Sequence, residues 1–166
     1  VTVDDSPVAQ QFFREAMAQS AGNPDRAAGL ARKLLEDYSG RLLAEDPNQP
    51  DAFLPVRTLV IDLLKSNPAL LQAWLKEVSV SASEMLEVVP PQRTFDIRPM
   101  TPAGFQAGLR LAQVHAENGT FTSALQILDE LDTWPGAAQY VRSVNSLRAI
   151  SAGLAAFEAT GVDHSE

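Results

Sequence analysis

Apolar residues recur every three or four positions along most of this chain, and four polar-proline pairs divide the recurrence into segments. Ser6-Pro7, Asn23-Pro24, Asn67-Pro68 and Thr101-Pro102 each join a side chain that can cap free amides to a ring suited to the first helical turn. Each pair predicts a helix start. From Pro7 the stripe Ala9, Phe13, Ala16 and Met17 predicts a helix stopping near Gly22, where the backbone turns freely. Ala27, Leu30, Ala31, Leu34, Leu35 and Tyr38 predict a second from Pro24, so residues 7–38 read as a helical hairpin. Residues 40–54 hold two prolines around a polar centre, which predicts a surface excursion with short extended arms.

Beyond that excursion, Val56, Leu59, Val60, Leu63 and Leu64 share one helical face. Leu71, Trp74, Leu75, Val78, Ala82 and Met85 share the face of another helix opened by Asn67-Pro68. Residues 55–89 therefore read as a middle hairpin, closed by Val88, Val89, Pro90 and Pro91, since paired prolines remove donors and exclude helical torsions before them. Residues 92–100 carry no decisive period. Residues 102–132 form the clearest hairpin, turning at Gly119. A last helix over 136–160 then follows Pro135-Gly136 with the stripe Tyr140, Val144, Leu147, Ile150, Leu154 and Phe157, and is expected to cap the array. Asp163 to Glu166 are expected to fray. Alternation of period two is not sustained anywhere, so the expected class is all-α, with six or seven helices stacked as consecutive hairpins in a right-handed solenoid.

Within Thr101 to Pro135, the residues Leu111, Ala112, His115, Gly119, Phe121, Ala124, Leu128 and Pro135 fall close to the large and small positions of a tetratricopeptide repeat. That unit of roughly 34 residues cannot bury its apolar face alone. The first hairpin is a degenerate copy. Aligning Gly22 with Gly119 also aligns Ala27 with Ala124 and Leu34 with Leu131, although Pro24 stands where the later copy has Phe121. The order of the three hairpins resembles the tetratricopeptide-like helical region that precedes quinoprotein-type β-propellers in bacterial, planctomycete-type proteins. That resemblance implies an extracytoplasmic, periplasmic-type setting and a helical assembly module beside a propeller. It transfers no cofactor site, and the chain has none of the repeated blades a propeller needs. Residues 79–100 depart from the usual continuation into further helix.

Composition narrows the functions further. The 166 residues are 45% hydrophobic, enough for one domain with a real core. A net charge of -8, with basic residues scattered singly, opposes binding to phosphate backbones. No run approaches the ~20 apolar residues that span a bilayer. The absence of cysteine removes disulfides and thiolate chemistry and leaves the compartment open. The chain opens on Val1, as a processed or excised chain does.

Candidate chemistry is sparse. His115 sits at a repeat position where a bulky residue packs, and His164 stands in the tail without a partner pattern, so neither suggests a metal or catalytic role. Glu36, Asp37, Glu45, Asp46, Asp51, Asp129, Glu130 and Asp132 read as solvated surface rather than paired acid and base. Asp46 to Asp51 lacks the glycine and glutamate of a calcium loop and reads as a turn. Ser79, Ser81 and Ser83 have no elbow or adjacent base. Asn118-Gly119-Thr120 fits a glycosylation acceptor but is better explained as a turn between helices.

The leading expectation is a non-catalytic scaffold without a cofactor, which binds a protein segment or neighbouring domain along its concave face. Gln106, Arg110, Gln113 and Glu117 on the polar side of the clearest hairpin are the candidate contacts. Trp134, in an inter-repeat loop, is expected to be accessible and to share a shallow patch with Tyr140, whereas Trp74 is assigned to the core. The alternative is a small-ligand or sensory domain with an apolar pocket near Trp74 and Phe95.

Overall fold

The computed structural model describes residues 6–46 and 49–160. Among the described residues the fold is all-α apart from one small β-hairpin. The helices are α1 (Pro7–Gln19), α2 (Pro24–Tyr38), α3 (Val56–Ser66), α4 (Pro68–Val88), α5 (Pro91–Ile97), α6 (Pro102–Glu117), α7 (Phe121–Asp132) and α8 (Val141–Thr160). A 3-10 turn at Ala137–Gln139 precedes α8. Eight α-helices among the described residues exceed the six or seven expected, because residues left without a clear period form the short α5. Among the described residues no helix is long and apolar enough to cross a membrane.

All four polar-proline pairs act as their chemistry dictates. Ser6, Asn23, Asn67 and Thr101 accept from the amides of Ala9, Arg26, Leu70 and Gly104 at 3.3, 3.2, 3.1 and 2.9 Å. Each supplies one of the acceptors that a helix start lacks, and proline follows where no amide partner is needed. Pro90 and Pro91 separate α4 from α5 as anticipated.

The segment 40–54 is more regular than expected. Strands β1 (Leu42–Asp46) and β2 (Gln49–Pro55) pair antiparallel, with Leu43 opposite Leu54 and Ala44 opposite Phe53. The edge of β1 is covered by Gln10 on α1. Its side-chain amide donates to the Ala44 carbonyl at 3.3 Å, and its Oε1 accepts from the Ala44 amide at 3.1 Å. The edge-facing amide and carbonyl of Ala44 are thereby given a partner. Leu43 is fully buried and ties the hairpin to the helices. The centre of the expected turn, at Pro47 and Asn48, lies outside the described residues, as do Asp163 to Glu166 with His164.

One hydrophobic core runs through the helices. α2 packs on α1 and α4, and α6 packs on α4, α5, α7 and α8. Leu34, Leu35, Leu64, Leu70, Trp74, Phe105, Leu128, Leu131 and Trp134 are its largest fully enclosed members. α3 is tied to α7 by polar contacts as well. Arg57 reaches Glu130 at 2.6 Å while lying over the Phe95 ring, and Lys65 donates to Thr133 at 2.7 Å.

The α1–α2 and α6–α7 hairpins share a burial pattern that the glycine alignment captures only in part. Ala27 and Leu34 are completely buried, as are Ala124 and Leu131. In the first helices the buried positions coincide one residue earlier, pairing Ala16 with Ala112 and Ala9 with Phe105. The loops differ as well: four residues separate Gln19 from Pro24, and three separate Glu117 from Phe121. Gly119 has φ 73°, whereas Gly22 has no positive φ. The amides of Gly119 and Thr120 donate back to Ala116 and His115 at 3.2 and 2.8 Å, completing a left-handed helix stop. His115 belongs to this cap. Its Nδ1 lies 2.8 Å from Thr120 Oγ1, and the half-buried ring closes the turn.

Candidate interaction groove between α6 and α8

Residues three and four apart on a helix share a face, so Arg110, Gln113, Val114 and Glu117 form one exposed ridge along α6. α8 packs beside α6. It presents Arg142, Ser143, Ser146 and Leu147 toward that ridge, and together with Leu109 these walls enclose an open groove of about 450 Å³. Its floor is leucine and its rims are guanidinium, hydroxyl and amide. The two helices are held in place by stacking of Phe105 on Tyr140, with ring centroids 4.3 Å apart.

Of the sequence candidates, Arg110 and Gln113 line the groove. Glu117 stands one turn beyond them, with its carboxylate held by Gln113 Nε2 at 2.8 Å. Gln106 is exposed on α6 outside the groove lining. Tyr140 is half-buried and lines a smaller cleft of about 160 Å³ with Leu75, Met100, Phe105 and Gln139.

Trp134 must be corrected. It is only 2% exposed, stacked on Phe95 at 5.3 Å and edge-on to Phe105 at 5.1 Å. Gly136, at φ 93°, turns the chain into the 3-10 turn, and the indole preceding it is drawn inward among aromatic rings from α5 and α6. Trp74 is in the core as expected, donating from Nε1 to the Pro99 carbonyl at 2.9 Å. Phe95 is enclosed in the same core.

Arg142, Ser143 and Ser146 were not anticipated. A helix that caps the array turns a polar face outward. α8 instead buries Val144 and Ser151 and leaves Ile150 and Leu154 at 53% and 43% exposure. On a helix of 3.6 residues per turn, Ser143, Leu147, Ile150 and Leu154 follow one another on the same side. The α8 wall of the groove thus continues as an exposed apolar stripe, with the exposed Phe157 beyond it. The i,i+4,i+7 spacing of apolar residues was the available signal.

The charges around the groove are unequal in their freedom. Arg148, on the other flank of α8, is engaged by Asp132 at 2.7 Å and Asp129 at 2.8 Å. Its pKa is raised, chiefly by hydrogen bonding to Asp132, with burial opposing and the charges of Asp132 and Asp129 adding. Among the described residues, Arg110 makes only a long contact, 3.4 Å, to the Leu86 carbonyl. Arg142 pairs with no side chain among the described residues.

Elsewhere, the hydroxyls of Ser79 and Ser83 donate to carbonyls four residues back in their own helix. Among the described residues, no group of three or more His, Asp or Glu is arranged to hold a metal ion. No protein-family model, curated protein or solved structure matches this chain.

Proposed function

We infer that this chain is a non-catalytic helical scaffold whose α6–α8 groove receives a segment of a partner protein or neighbouring domain. The observation that carries this reading is the continuity of the groove with the exposed stripe Leu147, Ile150 and Leu154. An exposed apolar track that continues from an open groove is the kind of feature that marks a protein contact. Stacking of the hairpins as a tetratricopeptide-like solenoid and an extracytoplasmic setting beside a propeller belong to the same proposal. They rest on the repeat positions of residues 101–135 and on the order of the three hairpins.

The test is a comparison of surface variants of the folded chain. Ser146→Trp would obstruct the groove, and Asp25→Trp would place the same ring on the exposed start of α2. Proteins cross-linked to the unmodified chain in extract should be lost with Ser146→Trp and kept with Asp25→Trp. Equal loss, or none, in the two variants rejects the groove as the contact surface.

A further inference from the structure

We propose that the segment seated in this groove is an amphipathic helix carrying carboxylates at the end that meets Arg110 and Arg142. The proposal rests on the reading of the groove as a contact surface and adds the chemistry of its occupant.

The chain carries a net charge of -8, so an acidic partner is repelled by most of its surface. The groove is locally different. Arg110 and Arg142 stand on its opposite walls, one with only a long contact to a carbonyl and the other with no side-chain partner among the described residues. Arg148, which a partner could otherwise recruit, is already neutralised by Asp129 and Asp132. Two guanidinium groups on the two walls of an open cleft, neither paired with a carboxylate among the described residues, are suited to carboxylates, which they hold through paired N–H donors.

The remaining contacts define the rest of the occupant. Leu109 and Leu147 form the floor, and Ile150 and Leu154 extend it along α8. Their helical spacing is matched by apolar side chains at i, i+4 and i+7 of a docked helix. Glu117, one turn past Gln113 on α6, makes the far end negative. An occupant with carboxylates along its whole length would meet that charge, so its acidic residues belong at the Arg110 and Arg142 end alone. Ser143 and Ser146 add neutral hydroxyls between the charged and apolar stretches.

The experiment uses the full chain and three labelled peptides of about four helical turns. One has glutamates in its first turn and leucines at i, i+4, i+7 and i+11. The second replaces each glutamate by glutamine, and the third scrambles the leucine positions. Fluorescence anisotropy is read with the wild-type chain, with R110E/R142E and with I150Q/L154Q, each checked for helicity by circular dichroism. The glutamate peptide should bind roughly tenfold more tightly than its glutamine twin at low ionic strength, and the gap should close as salt is added. R110E/R142E should abolish the gap, and I150Q/L154Q should weaken both peptides. If both peptides bind equally and both weaken with I150Q/L154Q, the carboxylate requirement falls and the groove stands. If the scrambled peptide binds as well as the ordered one, the helical occupant falls. If no peptide binds, or binding ignores every variant, the groove reading falls with it.

Discussion

Trp74 and Pro99 are joined by a buried hydrogen bond of 2.9 Å from the indole Nε1 to the backbone carbonyl. The bond fixes α4 against a turn in which Met100 adopts φ 63°, a left-handed conformation that costs a long side chain energy. Met100 is itself 4% exposed, so burial on both sides of the peptide holds the strained turn in place. Trp74→Phe retains an aromatic ring but leaves the Pro99 carbonyl without its donor in a dry site. Equilibrium urea unfolding should show a loss of about 2–3 kcal/mol, from the orphaned acceptor and the smaller ring. A loss below about 0.5 kcal/mol would mean the bond does not anchor the turn.

The same turn makes Gly104 irreplaceable. A Cβ there would lie 2.1 Å from the Arg98 carbonyl oxygen, which is backbone and cannot rotate away. Gly108, one turn on, would meet only the ends of the Leu131 and Phe95 side chains, at 2.9 Å. Gly29 in α2 would meet nothing. Alanine at these three positions should therefore give a graded series in thermal unfolding. Gly104→Ala should cost about 3 kcal/mol or more, Gly108→Ala about 1–2, and Gly29→Ala should stabilise by up to about 1. Reversal of the first and third would refute the packing described for α6.

Arg98 carries the most enclosed charge in the described chain that is matched by a carboxylate. Its side chain is 5% exposed, and Nη2 meets Glu36 Oε1 at 2.6 Å. Glu36→Gln leaves that guanidinium poorly compensated, at an expected cost of about 2 kcal/mol in chemical denaturation, because a buried charge without its partner is expensive. Glu15→Gln breaks the exposed pair with Arg26 and should change stability by less than about 0.5 kcal/mol. Similar costs for the two would show that Arg98 is better solvated than its burial implies.

What could be read from the sequence was local, and what could not was set by distant contacts. The four helix starts were legible because a cap and its amide lie three residues apart and need nothing else. The β-hairpin was legible only as short extended arms, since its edge is completed by Gln10, 34 residues from Ala44. Trp134 followed the same logic. Pro135 and Gly136 follow it in sequence, which suggested exposure, yet rings from two other helices enclose it. Half of the candidate groove, Arg110 and Gln113, was visible as the polar side of α6. On α8 the i,i+4,i+7 spacing marked an apolar face, but whether that face is buried depended on how the helix rotates against α6 and α7, which no local pattern specifies.

The two hairpin turns provide the sharpest test of how alike the repeats are. Gly22 and Gly119 occupy corresponding places in sequence, but only Gly119 adopts the left-handed conformation, at φ 73°. A Cβ at Gly22 would meet no atom within 4 Å. Gly119→Ala must either hold alanine in a conformation that crowds its Cβ or give up the bonds from the Gly119 and Thr120 amides to Ala116 and His115. Its cost should be about 1–2 kcal/mol. Gly22→Ala should be neutral or stabilise by up to about 0.5 kcal/mol, because the unfolded chain loses freedom while the folded turn loses nothing. Amide hydrogen exchange separates the two further. Gly119→Ala should speed exchange at Thr120, whose amide is bound to the His115 carbonyl, and leave Asn23 unchanged. Equal penalties at both glycines would mean that the first turn also needs the left-handed conformation, and that the one-residue difference in loop length does not separate the hairpins.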